Sequence, residues 1–202
     1  MRIREDFTYI IDNDFLPEGV VEDIQNTLLN SDAEWVLGKE LLSKDYRFKT
    51  NIDPYSGSQF NHLFFADSKI YSPHWEDLGY SLISQFCNKH GITLMAVMRC
   101  KSNLTFPDSN VDQSKTETPH VDHMWNHFTL LYYVNDSDGE TILYNEKFDG
   151  DKEVILTELA RVSPKAGRAV LFDGLLYHSP TVPSKNHRAV INYTFLGEFN
   201  DI

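Results

Sequence analysis

The chain has 202 residues, a length that favours one domain and suffices for a sizeable buried core. Its composition, with 41% hydrophobic and 24% charged residues, excludes the disordered, collagen-like and repeat classes. The formal net charge of −12 argues against a large basic face, so nucleic acid is not an expected partner.

The sequence also bears on the compartment. Residues 1–14 are charged and lack the apolar run of a signal peptide, and no stretch of 18 apolar residues suggests a membrane span. Cys87 and Cys100 form no paired motif, and both are interpreted as small buried thiols. These features predict a cytoplasmic protein without a membrane partner. Its oligomeric state cannot be predicted from them.

The first half of the chain predicts two helices. One opens at residues 14–17 and the other at residues 72–73, and Gly91 ends the second. Apolar residues recur at helical spacing in both helices: Val20, Val21, Ile24 and Leu28, then Trp75, Leu78, Leu82, Ile83 and Phe86. Short strands are predicted at 7–11 and 46–48, and a loop at 51–61.

After Gly91 the pattern changes to strands. Residues 92–100 are apolar and β-prone, and the polar stretch 103–118 predicts a long loop of the kind that often has a function. Further strands are predicted at 128–134, 139–144, 154–162, 168–172, 177–178 and 188–196. Many short strands separated by turns favour a sandwich or barrel, with the helices covering one outer face.

A possible metal motif is His120-Val121-Asp122. Residues two apart on a strand point to the same side, so this imidazole and carboxylate can reach one metal ion. By itself such a pair is common, and it also fits a polar strand end. A second histidine would complete the facial triad of non-haem Fe(II) oxygenases.

His178 and Arg188 strengthen this interpretation. His178 follows the apolar strand 168–172 and a turn, and Arg188 opens the strand 188–196. An arginine that points into the interior is costly unless it pairs with an anion. Because the guanidinium suits bidentate capture of a carboxylate, a dicarboxylate cosubstrate would provide that anion.

The ordered motifs resemble the double-stranded β-helix 2-oxoglutarate oxygenases, and within them the prolyl 4-hydroxylase branch. The resemblance covers about residues 92–197, from the His120 motif through 129–135, 139–141 and 164–172 to His178 and Arg188. It implies a mainly β fold, a jelly-roll or cupin-like barrel with N-terminal helices on one face. Residues 1–202 would form a single oxygenase domain, with 1–91 as helical support and 92–202 as the β-helix core.

The resemblance also implies roles. His120, Asp122 and His178 match the iron ligands, and Arg188 matches the residue that binds the distal carboxylate of 2-oxoglutarate. The other candidates for the cosubstrate pocket are Tyr133, Thr129, Leu131, Asn192 and Asn103. The tyrosine that many relatives carry near Asn103 is not evident, which leaves the iron-proximal carboxylate without assigned contacts. No catalytic residue is predicted beyond the metal centre.

The implied activity is a hydroxylation that uses Fe(II), 2-oxoglutarate and O2, with ascorbate as a candidate reductant. The implied substrate is a prolyl residue in a peptide or protein, and a small-molecule substrate remains an alternative. Two alternatives remain: a cupin-type metal enzyme that does not use 2-oxoglutarate, and a non-catalytic binding barrel. Around the motif, His123 and His127 either contact substrate or iron or lie in the loop or at the barrel mouth, and Trp125 and Asn126 either edge the substrate cleft or only pack. The remaining histidines are expected at the surface: His62, His74, His90 and His187.

Overall fold

The computed structural model describes residues 7–30, 33–38, 48–55, 57–112, 115–151 and 153–200. Most of its regular structure is β. The first part contains β1 (Tyr9–Asp12), α1 (Glu18–Leu29), β2 (Val36–Gly38), β3 (Lys49–Thr50), β4 (Gln59–Ala66), β5 (Lys69–Ile70), a π-helical turn (Trp75–Tyr80) and α2 (Ser81–Lys89). The second part contains β6 (Ile92–Thr105), β7 (Phe128–Tyr133), β8 (Thr141–Lys147), β9 (Glu153–Val154), β10 (Glu158–Val162), β11 (Ala169–Asp173), β12 (Leu176–Pro180) and β13 (Arg188–Phe199).

Two antiparallel sheets carry the architecture. The larger has the order β1-β11-β7-β13-β6-β4-β2, with β5 paired to β4, and the smaller has the order β10-β8-β12. A short parallel pair, β3 with β9, is separate from both. The central strands of the large sheet are β7, β13 and β6. β13 pairs antiparallel with both neighbours, and its pairing with β6 is continuous from Arg188 to Thr194 before two register shifts.

The strand β7 shows why the layers stack as they do. All six of its residues are buried, so both faces of the sheet are covered. Leu131 packs in one cluster with Leu143 of the small sheet, whereas Leu130 packs in another cluster with Leu28 and Phe86 of the two helices. The prediction of a mainly β protein with helices on one face is confirmed. Within the described residues the strands form two facing sheets and not one closed barrel, so the barrel stays a prediction.

Several boundaries differ from those predicted. The loop at 51–61 ends early because β4 begins at Gln59, and this eight-residue strand was missed since Gln59, Asn61 and His62 hide its apolar alternation. The loop predicted from residue 103 begins only after Thr105, where pairing with β13 stops. Residues 46 and 47 of the strand predicted at 46–48 lie outside the described residues.

Some side chains can also be compared with their predictions. Cys87 and Cys100 are free and buried, as expected. His62 is buried, not exposed: its Nδ1 lies 2.8 Å from the carbonyl oxygen of Glu34 and its Nε2 2.8 Å from Ser72 Oγ. One backbone carbonyl and one side-chain hydroxyl thus satisfy both ring nitrogens, which offsets the cost of burying the imidazole. Among the described helices, none is long and apolar enough to cross a membrane.

Candidate active site

His120 lies opposite His178 of β12 in an isolated antiparallel bridge, so the strand predicted through His120 and Asp122 is reduced to a single bridge residue. Each backbone N–H donates to the carbonyl of the other residue over 3.0 Å, which sets the two imidazole centroids 4.5 Å apart. Nδ1 of His120 lies 3.0 Å from the carbonyl oxygen of Thr118, and Nδ1 of His178 lies 3.2 Å from that of Leu176. With Nδ1–H donated to a carbonyl, each ring keeps Nε2 as a free lone pair, which is the usual arrangement of metal-binding histidines.

Asp122 completes the group. One ligand atom each from His120, Asp122 and His178 lies within 4.8 Å of the others, and Asp122 Oδ2 is 3.7 Å from His178 Nε2. Within the described ranges no other group of histidine, cysteine and carboxylate residues is arranged to hold a metal. Two histidines and one carboxylate on one side of an ion leave open positions, the donor set of non-haem Fe(II) oxygenases.

The protonation states suit a metal as well. Burial lowers the pKa of His120 to about 3 and also lowers the pKa of His178, so both imidazoles are neutral near pH 7. Burial alone would raise the pKa of the Asp122 carboxyl, but Arg99 together with His178, His120 and Lys101 outweighs burial and holds that pKa well below its usual range. All three side chains are therefore in the form that binds a cation.

Three neighbours hold the Asp122 carboxylate. Arg99 Nη2 donates to Oδ1 over 2.5 Å, whereas Thr129 Oγ1 and Asn192 Nδ2 donate to Oδ2 over 3.3 and 3.4 Å. Thr129 and Asn192, both expected in the cosubstrate pocket, thus contact the proposed metal ligand. Of these two, only Asn192 also lines the adjoining cavity.

That cavity has a volume of about 240 Å³ and lies between the two sheets. The predicted residues that line it are His120, Asp122, His178, Arg188, Asn192, Leu131 and Asn103. The structure therefore brings most of the predicted site together around one space. Tyr133 lies behind the cavity wall, fully buried, with its hydroxyl donating to Thr141 Oγ1 over 2.7 Å.

Arg188 forms a cationic end of the cavity. It is only 4% exposed, and it donates from Nε to the carbonyl of Gly139 over 2.9 Å and from Nη2 to Thr141 Oγ1 over 2.8 Å. No carboxylate in the described part of the chain lies within ion-pair distance of it. Thr141 Oγ1 accepts hydrogen bonds from both Tyr133 and Arg188, so its own hydrogen is free for a ligand in the cavity. This end fits a carboxylate, since a buried guanidinium needs an anion.

Sequence reasoning missed Arg99, Lys101 and Thr141. Arg99, Lys101 and Asn103 alternate on β6 and all line the cavity, so the argument used for Arg188 applied equally to that strand. Burial lowers the pKa of Lys101 to about 8, and its ammonium forms no ion pair with any residue that the structure describes. Asn103 Oδ1 is buried and lacks a hydrogen-bond partner within the described residues. Both side chains are therefore available to a polar ligand.

The nearby histidines differ from one another. His123 lines the cavity, with its Nε2 3.0 Å from Thr194 Oγ1, and it stacks on the exposed Trp125 at 4.7 Å. His127 is fully buried, with Nδ1 2.7 Å from the carbonyl of Trp125, and it packs so closely on Gly174 that a Cβ there would lie 2.2 Å from its Nε2. His127 therefore has a packing role, whereas His123 faces the cavity.

The chain matches no model of a known protein family and no curated protein sequence. Solved structures do match it. An oxidoreductase of the 2OG-Fe(II) oxygenase family from Burkholderia pseudomallei aligns with a TM-score of 0.62 and 13% identity, over 93% of this chain and 84% of that one. A prolyl-4-hydroxylase from Pseudomonas putida aligns with a TM-score of 0.60 and 15% identity, over 94% and 92% of the two chains.

A third match is a prolyl hydroxylase from Trichoplax adhaerens, solved in complex with a peptide fragment of the hypoxia inducible factor oxygen degradation domain. It aligns with a TM-score of 0.58 and 17% identity, over 94% of this chain and 84% of that one. At such identities the likeness establishes the fold. The chain has the fold of the 2-oxoglutarate and Fe(II) oxygenases, as the sequence motifs predicted.

Proposed function

We propose that this protein is an Fe(II)- and 2-oxoglutarate-dependent oxygenase that hydroxylates a C–H bond. One observation carries the proposal. The His-Asp-His group lines the same cavity as Arg188, a buried cation that has no carboxylate partner within the described residues. A cupin-type enzyme without a dicarboxylate cosubstrate, or a binding barrel, has no need for that arginine. The fold and the motif order support the same assignment.

The residues divide into metal ligands and cosubstrate-binding residues under this proposal. His120, Asp122 and His178 would hold iron. Arg188 and the free hydroxyl hydrogen of Thr141 would bind the distal carboxylate of 2-oxoglutarate, with Tyr133 fixing Thr141 from behind. When bound, iron, 2-oxoglutarate and O2 supply the oxidising chemistry, with succinate and carbon dioxide as coproducts.

Lys101 is a candidate contact for the iron-proximal carboxylate of 2-oxoglutarate, to which the sequence motifs assigned no residue. Its ammonium lines the cavity with no ion pair in the described part of the chain, and its charge acts on Asp122 as well as on Glu117. We assign it to the iron-proximal carboxylate of 2-oxoglutarate, where relatives often place a tyrosine. Leu131 and Val190 give the cavity an apolar wall, which excludes water from the reacting centre.

A prolyl residue in a peptide is the first substrate to test, because prolyl hydroxylases share the fold. Fold alone does not fix the substrate, so other C–H bonds stay within the proposal. The net charge of −12 disfavours nucleic acid. The cellular location and the use of ascorbate are expectations that accompany the assignment.

Anaerobic absorption spectroscopy tests the proposal. Addition of Fe(II) and 2-oxoglutarate should produce a weak visible charge-transfer band, and exposure to O2 should release succinate. His178→Ala should abolish both, whereas the matched control His187→Ala, at a histidine outside the cavity lining, should keep both. A wild-type protein that gives neither band nor succinate would show that the assignment is wrong.

A further inference from the structure

Glu117 is a buried carboxylate in the cavity wall that the proposed chemistry does not use. Backbone contacts position this residue. The Glu117 N–H donates to the carbonyl of Pro180 over 2.9 Å, and Glu117 forms an isolated parallel β-bridge with Tyr55. The residue is 4% exposed, and its Oε1 has no hydrogen-bond partner within the described residues. A buried carboxylate oxygen without a partner is costly, so a partner outside the described residues has to be identified.

The groups that the structure describes do not supply this partner. Arg99 is engaged with Asp122, and neither Lys101 nor Arg188 forms an ion pair with Glu117, although their charges act on it. In the proposed complex both of these cations bind carboxylates of 2-oxoglutarate. The cosubstrate is itself a dianion, so it competes with Glu117 for the cations and cannot serve as its partner.

The primary substrate is the remaining component of the complex. The cavity of about 240 Å³ lies below the range of roughly 300–1,000 Å³ that is common for ligand sites. Once the cosubstrate is bound, there is space for a side chain or another small group, but not for a bulky ring system. A compact positive group would satisfy the charge of Glu117 in that space.

We infer that Glu117 determines specificity by pairing with an ammonium or guanidinium group of the primary substrate, close to the C–H bond that is hydroxylated. This inference rests on the proposed function, and it favours cationic side chains or small cationic molecules over the neutral prolyl residue that the shared fold suggests. Glu117 acts by orienting the substrate, and the oxidation itself remains at the metal centre. Both members of this pair are charged, so removal of the negative charge at position 117 should weaken substrate binding.

Succinate release with matched probes tests the inference. The probes are the N-acetyl amides of lysine, arginine, glutamine, norleucine and proline, each added to Fe(II)- and 2-oxoglutarate-loaded protein. Lysine or arginine should raise succinate release above the rate without probe, and the neutral probes should not. In Glu117→Gln this stimulation should fall by about tenfold or more, with the 2-oxoglutarate KM changed by less than about twofold.

Other results would overturn the inference. These are a better response to proline, norleucine or glutamine than to the cationic probes, no response to any cationic probe while the charge-transfer band forms, or a Glu117→Gln variant whose main defect is a raised 2-oxoglutarate KM. The probe comparison uses wild-type protein, so it stands even if the variant folds poorly. Loss of the band and of all succinate release in wild type would instead refute the proposed function itself.

Discussion

Arg188 Nη2 donates a hydrogen bond of 2.8 Å to Thr141 Oγ1, and the same oxygen accepts from the Tyr133 hydroxyl over 2.7 Å. The threonine hydroxyl is therefore shared by the buried cation and by the tyrosine predicted from the sequence motifs, and the Arg188 guanidinium also lies 5.7 Å from the centre of the Tyr133 ring. Of Thr141 and Tyr133, only Thr141 lines the cavity. Of these two hydroxyls, only that of Thr141 can therefore contact a ligand in the cavity.

We expect Thr141→Val to weaken 2-oxoglutarate binding more than Tyr133→Phe does. The valine keeps the volume of threonine but removes the hydroxyl that would contact the cosubstrate, at a cost of about 1–1.5 kcal/mol, or roughly tenfold in KM. Tyr133→Phe removes only a supporting donor, and a change of about threefold or less is expected. The measurement is succinate release against 2-oxoglutarate concentration. An effect of Tyr133→Phe that exceeds that of Thr141→Val would place the tyrosine, and not the threonine, on the carboxylate.

Replacement of Arg188 should show that geometry matters as well as charge. Arg188→Lys keeps a cation but loses the planar fork that can hold a carboxylate by two hydrogen bonds, so KM for 2-oxoglutarate should rise by about tenfold or more. Arg188→Ala should raise it further. Arg168→Ala is the matched control, because that guanidinium bonds Asn13 and the carbonyl of Ser163 away from the cavity. Equal KM values for 2-oxoglutarate in Arg188→Lys and wild type would show that Arg188 does not bind the distal carboxylate by two hydrogen bonds.

Lys101 should make cosubstrate binding depend on pH in the alkaline range. Burial lowers the pKa of Lys101 to about 8 in the ligand-free protein, and an anion bound beside it favours the charged form. Binding above this pKa therefore requires proton uptake, so affinity should fall by up to about tenfold per pH unit as the pH rises beyond about 8. Calorimetry with Mn(II) in place of Fe(II) measures this. In Lys101→Met the affinity should be lower and the alkaline decline should disappear; a decline that persists would assign it to another group.

We expect the metal-free protein to lose stability in mild acid because several of its buried or half-buried histidines resist protonation. Burial lowers the pKa of five of them below the usual value near 6.5: His62, His120, His123, His127 and His178. As the pH falls through the unfolded pKa, the unfolded chain takes up protons that the folded chain does not. Each such histidine then costs up to about 1.4 kcal/mol of unfolding free energy per pH unit.

Glu117 acts in the opposite direction in the same window. Burial raises the pKa of its carboxyl to about 7, so the folded state gains a proton between about pH 7 and the unfolded value, which stabilises it. Five histidines outweigh one glutamate, and the net result is a loss. Urea unfolding at several pH values between about 7.5 and 5.5 should show a falling midpoint, and His123→Asn should reduce the slope. A midpoint that is constant or rises across this range would contradict the prediction.

The sequence by itself determined the parts of this protein that depend on local patterns. Alternation on strands placed His120 with Asp122 on one side, and the order of motifs identified His178 and Arg188, which the structure brings to the same cavity. The helices on one face and the strands after residue 118 also followed from periodicity. These features repeat within a few residues, so they can be recognised without knowledge of the neighbouring strands.

Only the tertiary structure decided which polar groups meet across strands. The pairing of β6 with β13 places Lys101 beside Asn192, and the small sheet places Thr141 against Arg188. Glu117 looked like part of a polar loop, yet it is a buried carboxylate in the cavity wall. The energetic cost of a buried charge depends on its distance from charges far along the chain, and strand pairing sets those distances. The substrate inference therefore comes from the packed structure, whereas the residues of the proposed metal centre could already be identified from the sequence.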